Sequence, residues 1–326
     1  MIGNSYDWYK LSFVKGLGPK SAMHLYKSMV GNRLTISDIF NMKEKEYEES
    51  FPMFGKGKFA KLKLKNFKDI NDAVVSVKYQ SIVDAGINVI GLSDELYPKK
   101  LKKSLKGEAP SVLYSQGNSK LLNSQVHVSI VGSRSASENL LKFTRTVSSE
   151  ISKQGYNIVS GYAKGVDDAG HLGALLAGGS TVAVLPQGLI AFSARKEYDR
   201  FSESRDLLYI SQFYPDEGWK GRNAMRRNKI VVGLADYIVV MESGPERDEK
   251  GRMSGTFNSG QEGIKLNIPV YVLNPEDRRL TAKGNLDLVN IGAIPFKTIE
   301  ELMDLIENKV QNSKSSLKSI QTSLDL

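Results

Sequence analysis

The spacing of apolar positions changes twice along the chain. From residue 126 to about 300, short runs that are apolar nearly throughout (126-VHVSIV, 157-NIVS, 181-TVAVL, 207-LLYIS, 237-YIVVM and 270-VYVL) alternate with segments whose apolar residues recur every three to four positions, such as 140-LLKFTRTVSSEISKQG and 167-DDAGHLGALLAGG. Short β-branched runs with no polar face predict strands covered on both sides, as in a parallel sheet. The strand–helix–strand rhythm predicts an open α/β fold, a mostly parallel sheet with helices on both faces. Residues 1 to about 110 read instead as short helical pieces dense in lysine. Lys56, Lys58, Lys61, Lys63, Lys65 and Lys68 fall among Phe59, Leu62, Leu64 and Phe67, which recur at roughly helical intervals. That pattern predicts an amphipathic helix with a basic face, open to two readings: a polyanion-facing surface or, more plainly, a solvated one. The last stretch, NKVQNSKSSLKSIQTSLDL, carries too few apolar residues for a core and is expected to be a flexible tail. The expected division is a small all-α domain over 1–90, the α/β domain over 91–307 and the tail over 308–326.

Composition narrows the function classes. A chain of 326 residues, at ~150 per domain, accommodates about two domains. With no cysteine, disulfides, thiolate zinc sites, iron–sulfur clusters and cysteine nucleophiles are excluded. The three histidines, His24, His127 and His171, lie far apart, and no metal or other cofactor is expected. No apolar run reaches the ~18 residues of a membrane span. The opening MIGNSYDWYK lacks the layout of a signal peptide, so a cytoplasmic location and no membrane partner are expected. The net charge of +9 points towards polyanions.

Open α/β sheets bind ligands beyond the carboxyl ends of their strands. The first apolar run ends in Gly132-Ser133-Arg134-Ser135, the second in Ser160-Gly161-Tyr162-Ala163-Lys164-Gly165, and the third in Pro186-Gln187-Gly188. After 237-YIVVM come Glu242-Ser243-Gly244, a polar excursion, and Met253-Ser254-Gly255-Thr256 opening a helix. Glycine lets backbone approach a ligand, hydroxyls donate, and helix N-termini attract anions. With Arg134 and Lys164 beside them, these loops predict a phosphate-binding rim. A second cluster, 222-RNAMRRNKI, places several cations at a helix start. It suits phosphate recognition, or ion pairing with nearby carboxylates.

No catalytic constellation emerges, and the chain is not expected to be an enzyme. G-x-G-x-x-G, G-x-x-x-x-G-K-[ST] and G-x-S-x-G are all absent at the places that matter. His171 lies four and three residues after Asp167 and Asp168, a spacing that a hydrogen-bonded helix histidine satisfies as simply as an acid/base pair. The segment 253-MSGTFNSGQEG lacks the paired glycines and spacing of the P-G-G-x-G-T-x-x-E signature of nucleotide phosphoribohydrolases.

Taken together, 97-YPKKL, 109-APSVLYSQGN, 130-IVGSR, 160-SGYAKGVDDAGHLGAL, 178-GGSTVAVLPQG, 227-RNKIVVGLADYIVVME, 254-SGTFNSGQEG and 292-GA resemble the DprA/Smf family of DNA-processing proteins, in order over about 95–296. The resemblance implies a Rossmann-like domain that binds single-stranded DNA, forms a homodimer and helps load a RecA-type recombinase, as in DNA uptake and transformation. It implies DNA contacts at Gly132, Ser133, Arg134, Ser160, Gly161, Lys164 and Gly165, at Arg227, Asn228 and Lys229, and at Ser254, Gly255 and Thr256. The sequence departs from the family pattern at Ala224-Met225, in the insertion 244-GPERDEKGRM, at Asn274-Pro275, and in the expected lack of a C-terminal winged helix. The alternative function class is a Rossmann-like pocket that senses or hydrolyses a small nucleotide.

Two further segments bear on partners. In 11-LSFVKGLGPKSAMHLYKSM the glycines Gly16 and Gly18 with Lys20 look like a helix-hairpin-helix turn, so the N-terminal domain is expected to be of the helix-hairpin-helix/SAM-like kind. In such a turn backbone amides meet a DNA phosphate, or the device serves packing alone, with Ala22 and Leu25 seating the second helix. The terminal Gln321-Thr322-Ser323-Leu324-Asp325-Leu326 resembles the Q-x-x-L-x-L peptide that docks into the replication sliding clamp: Gln321 would hydrogen-bond while Leu324 and Leu326 fill an apolar pocket. An ordinary terminus is the other reading.

Overall fold

All six apolar runs are strands, and the segments of helical spacing between them are helices. The computed structural model describes residues 2–123 and 125–309. Along them run α1 (Ser5–Leu11), α2 (Pro19–Asn32), α3 (Ile36–Asn41), α4 (Glu44–Ser50), α5 (Leu64–Lys68), α6 (Asp72–Asp84) and β1 (Asn88–Gly91). Next come α7 (Lys99–Leu105), β2 (Val112–Gly117), β3 (His127–Val131), α8 (Glu138–Lys153), β4 (Asn157–Ser160), α9 (Val166–Leu176) and β5 (Thr181–Val184). β6 (Leu207–Ser211), α10 (Gly221–Leu234), β7 (Tyr237–Val240), α11 (Gly255–Lys265), β8 (Val270–Leu273), α12 (Gly284–Asn290) and β9 (Ile294–Phe296) follow, and residues 299–309 are helical. No helix among the described residues is long and apolar enough to cross a membrane.

The chain forms two compact units. One holds Val126–Ser180 and the residues from Ala235 on; the other holds the residues up to Gln125 and Thr181–Leu234. In the first, β4, β3, β7, β8 and β9 lie side by side in that order, all parallel. Ser129 pairs with Val159 and Val131 with Val240, so β4, β3 and β7 run out at one edge. Successive strand residues face opposite sides. Val128, Ile130, Ile158, Val239 and Met241 meet Leu140, Val147 and Ile151 of α8. Ile238, of the other parity, meets α11 at Gly263. Helices therefore cover both faces, and each apolar side chain buried this way is worth about 1.5–3 kcal/mol. α8 begins where it does because the Ser137 hydroxyl accepts from the Leu140 amide at 3.2 Å. β9, not expected from the sequence, carries Pro295 and stands last in the order, where a missing amide is tolerated.

In the second unit the order is β1, β2, β6, β5, with β1–β2 and β2–β6 antiparallel and β5–β6 parallel. The N-terminal helices belong to this unit, whereas the sequence reading set them apart at residue 90. Trp8 of α1 is the reason: its fully buried ring lies over Gly91 of β1, and its Nε1 donates to the Ser93 hydroxyl at 2.7 Å. The lysine-rich segment is not one continuous helix. A single 3₁₀ turn over Gly57–Phe59 ends in a non-helical stretch at residues 60–63, and a new helix, α5, starts where the Asn66 side chain accepts from the Lys63 amide at 2.9 Å. Leu62, Leu64 and Phe67 are buried there and all six lysines are exposed.

Candidate nucleic-acid interface

The loops that follow β3 and β4 interlock. A Cβ on Gly132 would lie 2.7 Å from the Val166 methyls, and one on Gly165 would overlap the Ser133 carbonyl oxygen. The Val166 amide donates to that same oxygen at 3.2 Å. The Ser133 hydroxyl accepts from the Ser135 amide at 3.2 Å, which fixes the turn. From this knot Arg134 and Lys164 both emerge exposed. Two cations side by side on rigid backbone at the carboxyl edge of a parallel sheet suit a phosphate or a chain of phosphates.

Other expected contacts have different surroundings. Ser160 is fully buried and donates its hydroxyl to the Ile130 carbonyl at 2.5 Å, so its side chain ties β4 to β3 rather than meeting a ligand. Gly161 is buried too. Ser254 caps α11, its hydroxyl accepting from the Phe257 amide at 3.2 Å, with Gly255 and Thr256 half-buried in the first turn. The insertion before it folds back on itself, with Arg247 bridged to Met253 and Asp248 paired to Arg252 at 2.7 Å. His171 is fully buried, its ring 6.0 Å from that of Tyr162, which makes it a core residue of α9. Among the described residues no group of histidines and acids stands close enough to hold a metal ion.

Sequence reasoning missed the side chains that hold the neighbouring loop. Glu242, fully buried at the end of β7, accepts from the Thr281 amide at 2.5 Å, the Thr281 hydroxyl at 2.9 Å and the Ala282 amide at 3.1 Å. Asn285 donates to the Met241 and Leu273 carbonyls at 3.1 and 2.8 Å and accepts from the Ser243 amide at 2.7 Å. Arg279 lies 3.4 Å from the Phe143 ring and donates Nε to Asp277 at 2.8 Å. Nothing in the local sequence pattern marks these partners, because each acts across a distance in sequence or through a loop conformation. Hydrogen bonding to Arg279, chiefly from its side chain, holds the Asp277 carboxyl below the usual aspartate range. A depressed carboxylate contributes stability that is present above its unfolded value and lost as pH falls through its folded one. Asp277→Asn is therefore expected to lower stability by about 1 kcal/mol at pH 7 and by progressively less as pH falls below the ordinary aspartate range, measured as the gap between thermal midpoints of variant and parent.

In the other unit, Arg227, Asn228 and Lys229 follow one another on α10 and so point about 100° apart. Arg227 is 4% exposed, Asn228 is half-buried, and Lys229 is exposed with its Nζ 2.7 Å from Glu108. The turn between α1 and α2 carries Gly16 and Gly18, Lys20 is the second residue of α2, and Ala22 and Leu25 are fully buried behind it. Gln321, Leu324 and Leu326 lie outside the described residues.

Comparison with known proteins places this geometry. Residues 88–307 match the model of the family DNA recombination-mediator protein A. The Smf protein of Borreliella burgdorferi is 27% identical over 94% of this chain and 88% of its own. The DNA processing protein DprA of Streptococcus pneumoniae is 32% identical over 55% of this chain and 61% of its own. The X-ray structure of that S. pneumoniae protein superposes with a TM-score of 0.68 at 24% identity, covering 93% of this chain and 98% of the other. A structure of DNA processing protein A from Helicobacter pylori, described for its single-stranded DNA binding mode, superposes with a TM-score of 0.56 at 25% identity over 68% of this chain and 96% of that one. With two-thirds of its length on the family model and the interlocked glycine loops at the expected sheet edge, this chain belongs to the DNA recombination-mediator protein A family.

Proposed function

We propose that the chain binds single-stranded DNA along the loops that follow β3, β4 and β7, and acts as a non-enzymatic recombination mediator in the cytoplasm. In this reading it shields exposed DNA and assists loading of a RecA-type recombinase. The observation that carries it is the pair of exposed cations, Arg134 and Lys164, on two loops locked to each other at one sheet edge. A guanidinium and an ammonium on rigid backbone suit backbone phosphate without reading base identity. The H. pylori relative, described for its single-stranded DNA binding, supports the choice of ligand. The homodimer, and docking to a sliding clamp through Gln321, Leu324 and Leu326, belong to the same proposal.

The test is fluorescence anisotropy of a labelled single-stranded oligonucleotide across a salt series, with duplex DNA and mononucleotides as competitors. Each phosphate contact contributes about −0.7 to the slope of log K against log salt on single strands. A steep slope with no displacement by mononucleotides is the expected result. Saturable, salt-insensitive displacement by a mononucleotide would overturn the reading and make the pocket a nucleotide sensor.

A further inference from the structure

In the unit that carries the N-terminal helices, a cavity of about 420 Å³ opens between the turn before α2 and the exposed side of α10. Lys20, Arg226 and Lys229 line it together with Glu108, Gln212 and Gly18. Three cations thus face one carboxylate. Glu108 is shared between two of them, 2.7 Å from the Lys229 Nζ and 3.5 Å from the Lys20 Nζ. Arg226 stacks 5.3 Å from the Phe213 ring and has no acidic partner among the described residues. Gln212 brings a buried Nε2 donor with no acceptor among those residues. Gly18 is the N-cap of α2, and with Pro19 first in the helix the Lys20 and Ser21 amides are its leading open donors.

We infer that this cavity binds a phosphate group, and that Glu108 occupies the position of the ligand's charge until the ligand displaces it. The donors are of the types that recognise phosphate: a guanidinium, ammonium groups, an amide and a helix N-terminus. Their charge exceeds the internal carboxylate by two, which leaves an attraction for a mono- or dianion even with Glu108 in place. The volume exceeds that of a phosphate alone and accommodates an attached sugar. The same observations explain the glycine-bounded turn before α2, which packing of Ala22 and Leu25 alone does not require to be basic. The inference uses residues distinct from Arg134 and Lys164 and does not depend on what those bind.

Two sources could present such a phosphate, a nucleic-acid backbone or a free nucleotide, and the test uses a probe for each. Full-length protein carrying Arg134→Ala, to suppress the other loops, is titrated with a labelled oligothymidylate and, separately, with deoxyadenosine 5′-monophosphate. Into it are introduced Lys20→Ala, Arg226→Ala and Glu108→Gln. Removing either cation is expected to weaken binding of the responsive probe about threefold to tenfold, and Glu108→Gln to strengthen it by a similar factor. For the oligonucleotide, Lys20→Ala should also reduce the salt slope by about 0.7. Response of the oligonucleotide alone assigns the site to backbone phosphate; response of the mononucleotide assigns it to free nucleotide. Unchanged affinity of both probes in the two cation variants, or no gain from a folded Glu108→Gln protein, overturns the inference and leaves Glu108 a strut between helices. Should Glu108→Gln not fold, the exposed Lys20 and Arg226 substitutions decide by themselves.

Discussion

Gly165→Ala is expected to lower stability by about 3–5 kcal/mol and to remove single-stranded DNA binding with it. Two costs add. The residue sits at φ +86° and ψ −128°, a conformation that side chains other than hydrogen rarely adopt. The new methyl would also overlap the Ser133 carbonyl oxygen and lie 2.9 Å from the Arg134 Cα, so the loop after β3 must move. That displacement carries Arg134 away from Lys164, which is how a stability defect becomes a binding defect. Gly178→Ala separates the two costs: φ there is +75° and no atom lies within 4 Å of the new Cβ. It should destabilise by only about 1 kcal/mol and leave binding intact. Urea unfolding and anisotropy on both variants read the difference. A Gly165→Ala protein that keeps wild-type affinity would show that the interlock does not position Arg134.

The sequence made the parallel strands legible because each is an apolar run bounded by polar loops, and burial on both faces leaves that signature. β1, β2 and β9 escaped notice for other reasons: β1 lies inside the lysine-dense stretch read as helical pieces and β2 directly after it, while β9 has only three residues, one of them a proline. The site was legible at the level of loops, since ligands of such sheets gather at one edge, but not at the level of side-chain direction. Ser160 ends a strand on its buried side, so its hydroxyl closes on Ile130. Arg227 and Lys229 belong to one helix yet differ in fate, one 4% exposed and the other paired with Glu108 at the surface. A three-residue motif read along the chain treats them as one patch; a helix cannot present them as one. Arg226, one residue away and absent from that motif, is the neighbour that shares a cavity with Lys229. Glu108 and Gln212 were invisible for a further reason: they reach the same cavity from elements far apart in sequence.

Arg134→Ala and Lys164→Ala are each expected to weaken single-stranded DNA binding about tenfold to a hundredfold, the value of a charge-assisted contact to phosphate. Neither should alter stability by more than about 0.5 kcal/mol, because both side chains are exposed. The double variant is the informative one. A Cβ at Gly165 would lie 2.9 Å from the Arg134 Cα, so the backbones that carry the two cations touch. Groups this close couple, and the double variant should lose less affinity than the product of the single losses, by about 0.5 kcal/mol or more. The salt slope gives an independent count: if both cations hold one phosphate it falls by about 0.7 in the double variant, and if they hold neighbouring phosphates it falls by about 1.4. Strict additivity with the larger fall would mean that the strand runs across the two loops with one phosphate to each cation. A double variant that binds as the parent does would exclude these loops from DNA recognition, whatever the family shares.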